Sequence, residues 1–212
     1  MRTGRILFPL VYILFFYGCG RIYLPVGMLR PPHYHSGISN EGKQWTVSLF
    51  GGGGFYENER LQGASLSFSI SRRWSLLRVN LIGEGYGGSY SDSSGSSYEF
   101  LGMSAGSIME LVISAGPMGF YGGLYSAIGQ EGGSYITELG NYDSFVFPSM
   151  EVSLTGGIEF NLTSLTIGTR FFYGIPLGLG MYVIRENGFG IHAGWSWTDE
   201  GGMMEAGFSK VF

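Results

Sequence analysis

Residues 189–212 read FGIHAGWSWTDEGGMMEAGFSKVF, and the alternation in this stretch decides the fold. Phe189, Ile191, Ala193, Trp195 and Trp197 fall on one face of an extended chain, and Gly190, His192, Gly194, Ser196 and Thr198 on the other. After a polar turn the pattern resumes. Met204, Ala206, Phe208 and Phe212 share a face, opposite Met203, Glu205, Gly207, Ser209 and Val211. A period of two is that of a β-strand. A wholly apolar face ending in tryptophans suits lipid and its interface, whereas Gly, Ser, Thr and His suit an enclosed polar interior. That polarity predicts a transmembrane β-barrel. A soluble sandwich would turn the same faces the other way, with charge outside.

Working outward, the period stays close to two from Gln44 onward. The first strand sets Trp45, Val47, Leu49 and Phe55 against Thr46, Ser48, Gly52 and Gly54. The second sets Ala64, Leu66, Phe68 and Ile70 against Gly63 and Ser65 to Ser71. The third sets Leu77, Val79 and Leu81 against Arg78, Asn80 and Glu84; the fourth sets Leu101, Met103, Met109, Leu111 and Ile113 against Gly102, Ser104 and Glu110. The fifth has Phe120, Leu124 and Ile128 against Tyr121, Gly123 and Tyr125. The sixth has Val146, Met150, Val152, Leu154, Ile158 and Phe160 against Glu151, Ser153, Thr155, Gly157 and Glu159. The seventh has Leu165, Ile167, Phe171 and Tyr173 against Thr166, Gly168 and Arg170, and the eighth Leu177, Leu179, Met181 and Val183 against Gly178, Gly180 and Tyr182. The expected fold is an all-β, antiparallel, up-and-down barrel of ten strands. The alternative is eight, because Pro176 and three glycines interrupt the eighth segment.

Composition agrees. Charged residues are 13% of the 212, aromatics 16%, and Gly numbers 38, so helix-breaking glycine argues against a helical membrane protein. The net charge of −4 gives no reason to expect nucleic acid as a partner. Beyond residue 20 no run approaches the ~20 apolar residues of a membrane helix. At the start, Arg2 and Arg5 precede the apolar run Ile6 to Tyr17, which reads as a signal peptide over 1–18. Cys19, the one cysteine, cannot form an intramolecular disulfide. Residues 19–43, with Pro25, Pro31 and Pro32, read as a periplasmic tether, and 44–212 as the barrel.

An even strand count returns both ends of the barrel to one side, the periplasm. Tight connections are expected there at Ser71-Arg72-Arg73, Ala115-Gly116-Pro117, Asn161-Leu162-Thr163 and Glu186-Asn187-Gly188. Longer polar connections, Gly88 to Ser97 and Gly129 to Ser144, are expected outside.

These residues resemble the small bacterial outer-membrane barrels, the OmpA-like and OmpX-like superfamily. Gly207-Phe208-Ser209-Lys210-Val211-Phe212 resembles the assembly signal read by the barrel-insertion machinery, with Phe208 and Phe212 at its key places and Lys210 where an apolar residue is usual. Gly18-Cys19-Gly20 resembles a lipoprotein lipobox, which implies lipidation at Cys19; ordinary cleavage after Gly20 is the alternative. The resemblance implies outer-membrane lipids and the insertion machinery as partners, another envelope protein as a further partner, and no cofactor.

Parity puts Arg78, Glu84, Glu110, Glu151, Glu159, Arg170, His192 and Glu205 in the lumen. Charge in a narrow bore must be paired. A turn centred near Ser94 sets Arg78 opposite Glu110, an expected cross-strand ion pair. The same counting across Asp199 to Gly202 sets Glu205 opposite Ser196 and His192 opposite Ser209. The expectation is a polar, plugged lumen with a structural or adhesive role at the outer loops. A weakly cation-selective channel and a lipid-modifying enzyme are the alternatives. His192 and Ser196 stand about 13 Å apart along one strand, too far for a nucleophile and its base, so no enzyme is expected. His33 and His35 lack further ligands nearby, so no metal site is expected. Trp45, Trp195 and Trp197 are expected as interface anchors.

Overall fold

In a computed structural model, residues 42–56, 59–91, 93–133, 149–174, 177–198 and 201–212 are described. They form ten strands: β1 (Gly42–Tyr56), β2 (Glu59–Trp74), β3 (Leu77–Ser91), β4 (Ser97–Ala115), β5 (Met118–Gly133), β6 (Ser149–Asn161), β7 (Leu165–Tyr173), β8 (Leu177–Arg185), β9 (Phe189–Trp197) and β10 (Gly201–Val211). Each pairs antiparallel with its neighbours in sequence, and β1 pairs with β10 to close a barrel. Closure gives every strand a hydrogen-bonded neighbour on both sides, a requirement in lipid. The eighth segment is a full strand, so the eight-stranded alternative falls. The signal peptide, Cys19, His33, His35 and nearly all of the tether lie outside the described residues, as does the 134–148 connection.

Side chains follow the parity set by the sequence. Leu49, Leu66, Leu81, Leu101, Met109, Leu124, Leu154, Met181, Ile191 and Phe208 all face outward and are exposed. In water such a wall would be an aggregation surface; in hydrocarbon it is matched to its solvent. Trp45, beside Phe68 at 5.3 Å, marks the edge that carries both ends of the barrel. Trp195 and Trp197, 4.9 Å apart, mark the opposite edge.

The wall is uneven. β7, β8 and β9 have 9 residues each, whereas β4 has 19. At about 3.3 Å per residue and a tilt near 40°, nine residues rise roughly 23 Å, close to the ~25 Å apolar band of such barrels. The longer β2 to β5 stand higher at the edge away from the termini.

Four boundaries differ from expectation, one being that β5 runs on through Gly129 to Gly133, paired with Ser104 to Phe100, where a loop was expected. The barrel begins at Gly42, because Gly42 and Lys43 already pair with Arg73 and Arg72. The first tight turn is Ser75-Leu76, not Ser71 to Arg73. Ser75 adopts a left-handed φ of 48° with no glycine to announce it, and its carbonyl accepts from Arg73 Nε at 3.0 Å. Gly116 and Gly188, at φ 60° and 79°, close two other turns in the conformation glycine favours. The loop expected over Gly88 to Ser97 shrinks to residues 92–96, since Gly88 to Ser91 pair with Phe100 to Ser97. Glycine and serine there are strand residues.

Candidate functional site: a charged layer across the bore

The closed register brings the lumen charges into layers. Arg78 stands opposite Glu110 on the adjacent strand. Its Nε and Nη2 both lie 2.8 Å from Glu110 Oε2. Arg170 reaches the same carboxylate from β7, with Nη2 3.1 Å from Oε1. β4 and β7 are three strands apart around the wall, so this bridge crosses the bore rather than running along it. Arg78 and Glu110 are each 1% exposed and Arg170 is 3% exposed. The Tyr121 ring packs under both guanidiniums, 5.0 Å from Arg78 Cζ and 4.7 Å from Arg170 Cζ. Two cations share one carboxylate and one aromatic face, an arrangement that compensates each buried charge.

A repeated device holds the layer. On β5, β6 and β7, Tyr121, Gly157 and Arg170 occupy one register line. A Cβ at Gly157 would sit 2.4 Å from Tyr121 Oη, so the missing side chain lets the ring lie across β6. Tyr121 then donates to the Thr169 carbonyl on β7 at 2.6 Å. The same order recurs as Tyr182, Gly168 and Glu159 across β8, β7 and β6. A Cβ at Gly168 would be 2.2 Å from Tyr182 Cζ, and Tyr182 donates to Glu159 Oε2 at 2.6 Å. It recurs again as Phe50, Gly207 and His192, with Phe50 and His192 rings 5.9 Å apart, and as Tyr86, Gly102 and Glu131. In each line a ring crosses a glycine, and in the first three it meets a polar group two strands away. Sequence parity placed Tyr121 and Tyr182 in the lumen, but their partners become visible only once the register is known.

The remaining candidates are placed as follows. His192 Nε2 and Ser209 Oγ share a hydrogen bond of 2.6 Å. The contact is diagonal, because the register pairs His192 with Gly207 and Ser209 with Gly190. Glu205 stands opposite Gly194 rather than Ser196. The reason is the turn: Thr198 N donates to Gly201 O at 2.7 Å, closing the hairpin before Gly201, whereas Gly201 and Gly202 read as turn residues in the sequence. Glu205 is buried over Gly52, where a Cβ would lie 2.5 Å from its Cγ. His192, Ser196 and Glu205 therefore sit at different register levels. Glu84 faces the lumen, half-buried, between Ser67 and Ser104. Glu151 pairs in register with Ala127, and its side chain lies outside the described residues. Among the described residues no group of three or more His, Cys, Asp or Glu could hold a metal ion.

The polar lumen is only part of the interior. Ile108, Tyr125, Ala127 and Phe172 form an apolar layer with Ile82 above the charged one, and Tyr125 and Phe172 meet edge to face at 6.1 Å. Leu61, Tyr86, Tyr90 and Phe100, joined by Tyr98, form a third layer toward the far edge. Apolar and aromatic side chains thus share the bore with buried polar ones such as Ser65, Glu131 and Ser196.

A closed antiparallel barrel with an apolar outer wall and a packed, partly charged interior is a transmembrane β-barrel. Among solved structures, the chain is similar to the β domain of the Bordetella autotransporter BrkA, at 11% identity over 81% of this chain and 100% of that one, with a TM-score of 0.47. It is similar to the translocator domain of the autotransporter NalP from Neisseria meningitidis, at 12% identity over 82% of this chain and 89% of that one, TM-score 0.45. It is also similar to Neisserial surface protein A, at 14% identity over 80% and 97%, TM-score 0.42. No protein-family model matches the chain, and no curated protein matches it.

Proposed function

We propose that this protein is a bacterial outer-membrane barrel that does not conduct, a plugged anchor whose work is done at its outer rim. That work is envelope integrity, adhesion or contact with another envelope protein. The observation that carries this reading is the Arg78–Glu110–Arg170 bridge, three charged side chains at 1–3% exposure joined across the bore. Opening a path through it would separate buried ions, at several kcal/mol. Above it, the packed side chains of Ile108, Tyr125 and Phe172 fill the bore a second time. The tight turns at Ser75, Gly116 and Gly188 support placing the terminal edge in the periplasm, and the tall β2 to β5 wall then stands on the outside. The partners this requires are outer-membrane lipids and the barrel-insertion machinery; no cofactor or catalytic step is called for.

The test has two readouts on the purified outer-membrane fraction. Unboiled protein should migrate differently from boiled protein on a gel, because a closed barrel resists detergent until heated. In planar bilayers the same sample should stay silent. A steady conductance that falls when Glu84 or Glu205 is neutralised would replace this reading with a cation-selective channel.

A further inference from the structure

The outer wall carries a group of cations at its terminal edge, whereas Arg60 stands at the far edge. Lys43 and Arg72 face outward on adjacent strands and are register partners at the terminal edge of β1 and β2. Like charges directly opposite each other on a sheet face destabilise the pair. Each is tied back to a girdle tryptophan of its own strand: Lys43 Nζ lies 4.3 Å from the Trp45 ring centroid, and Arg72 Cζ lies 4.8 Å from that of Trp74. No carboxylate among the described residues forms an ion pair with either. Two neighbouring cations are thus held at the level of the aromatic belt, where lipid headgroups lie, with their apolar stems against the rings. On β10, Lys210 lies over Phe212, but its ammonium already donates to the Asn187 carbonyl. On β8, Arg185 is exposed alone.

We infer that Lys43 and Arg72 form a binding site for the phosphate of an anionic glycerophospholipid, with Trp45 and Trp74 flanking its glycerol and upper acyl chain. One phosphodiester between the two cations removes their repulsion and satisfies both. A zwitterionic headgroup carries its own ammonium and gains less. The choice of a glycerophospholipid rests on the proposed orientation, which puts this edge in the periplasmic leaflet.

The experiment is native mass spectrometry of the full-length folded barrel released from equimolar phosphatidylglycerol and phosphatidylcholine vesicles. Wild type should retain phosphatidylglycerol selectively. At roughly fivefold per basic residue near an anionic surface, Lys43→Gln with Arg72→Gln should cut that preference by tenfold or more. Arg185→Gln should leave it intact. A preference unchanged in the double variant, or lost equally in Arg185→Gln, overturns the site. The heat-dependent gel shift is run on every sample. A shift in wild type with no lipid preference sinks this inference alone; no shift in wild type sinks the barrel reading with it.

Discussion

Replacing Glu110 with Gln removes a carboxylate that joins Arg78 and Arg170, at contacts of 2.8 and 3.1 Å. Both guanidiniums are buried in the wild type, so the variant takes from two buried cations the carboxylate they share. Breaking a buried pair by deleting one partner costs about 3–5 kcal/mol. The glutamine oxygen still accepts one hydrogen bond, which recovers about 1 kcal/mol. The Tyr121 face serves both cations before and after, so it does not enter the difference. The expected loss is about 2–4 kcal/mol, a large share of a total stability of about 5–15 kcal/mol. With a urea dependence near 2 kcal/mol/M, the unfolding midpoint should fall by about 1–2 M. Unfolding from lipid vesicles is followed by tryptophan emission and by loss of the unboiled gel band. Adding Arg170→Met to Glu110→Gln removes one of the two cations that shared the carboxylate, so the double variant should lose less than the sum of the two single losses. A Glu110→Gln midpoint within about 0.3 M of wild type would refute the premise that this bridge is dry and closed.

Other substitutions probe the aromatic crossings and the girdles. Gly168→Ala places a Cβ 2.2 Å from Tyr182 Cζ and should cost about 1–3 kcal/mol in the same urea titration, from overpacking alone. Tyr182→Phe deletes the donor to Glu159 and should cost about 1.5–3 kcal/mol, the range for a hydrogen bond to a charged group, while Tyr125→Phe, scored in the same titration, should cost less. Ser209→Ala removes the 2.6 Å bond to His192 and should cost about 1 kcal/mol, with the heat-dependent gel shift preserved. Because β7 to β9 have only 9 residues each, folding yield should be higher in vesicles of short acyl chains than of long ones, scored by the unboiled band.

The wall was legible in the sequence because it depends on parity alone. A strand's period of two survives any error in where the strand begins, so Leu101, Met109 and Phe208 point outward whichever residue starts the strand. Register depends on turns, and turns were legible only where composition and geometry agree. The hairpin around Ser94 is symmetric about the expected centre, and Arg78 meets Glu110 as counted. The hairpin after Trp197 closes one residue early on each side of that count, and every partner on β10 moves by two. A shift of two keeps each side chain on its face, which is why His192 still finds Ser209, now along a diagonal. Ser75 takes a left-handed turn conformation with no residue to announce it, so the turn there was read too early.

The glycines carry the deeper lesson. Their abundance reads, by composition, as a small and featureless inner face. Phe50 beside Gly207, Tyr86 beside Gly102, Tyr121 beside Gly157 and Tyr182 beside Gly168 give it another cause. In this ten-stranded bore these four rings lie down over positions with no Cβ. The rings of Tyr121, Tyr182 and Phe50 then reach a polar residue beyond the glycine, and Arg170, Glu159, His192 and Glu131 are all held away from solvent. Aromatic content, glycine content and buried charge are thus one solution to packing a narrow barrel. If so, enlarging any of the four glycines should release its ring and loosen the polar partner two strands away. Gly102→Val is the sharpest case, because the Cβ would lie 2.2 Å from Tyr86 Cζ. Hydrogen exchange around Glu131 should rise along with that around Tyr86; exchange confined to β3 and β4 would mean the register line is coincidence.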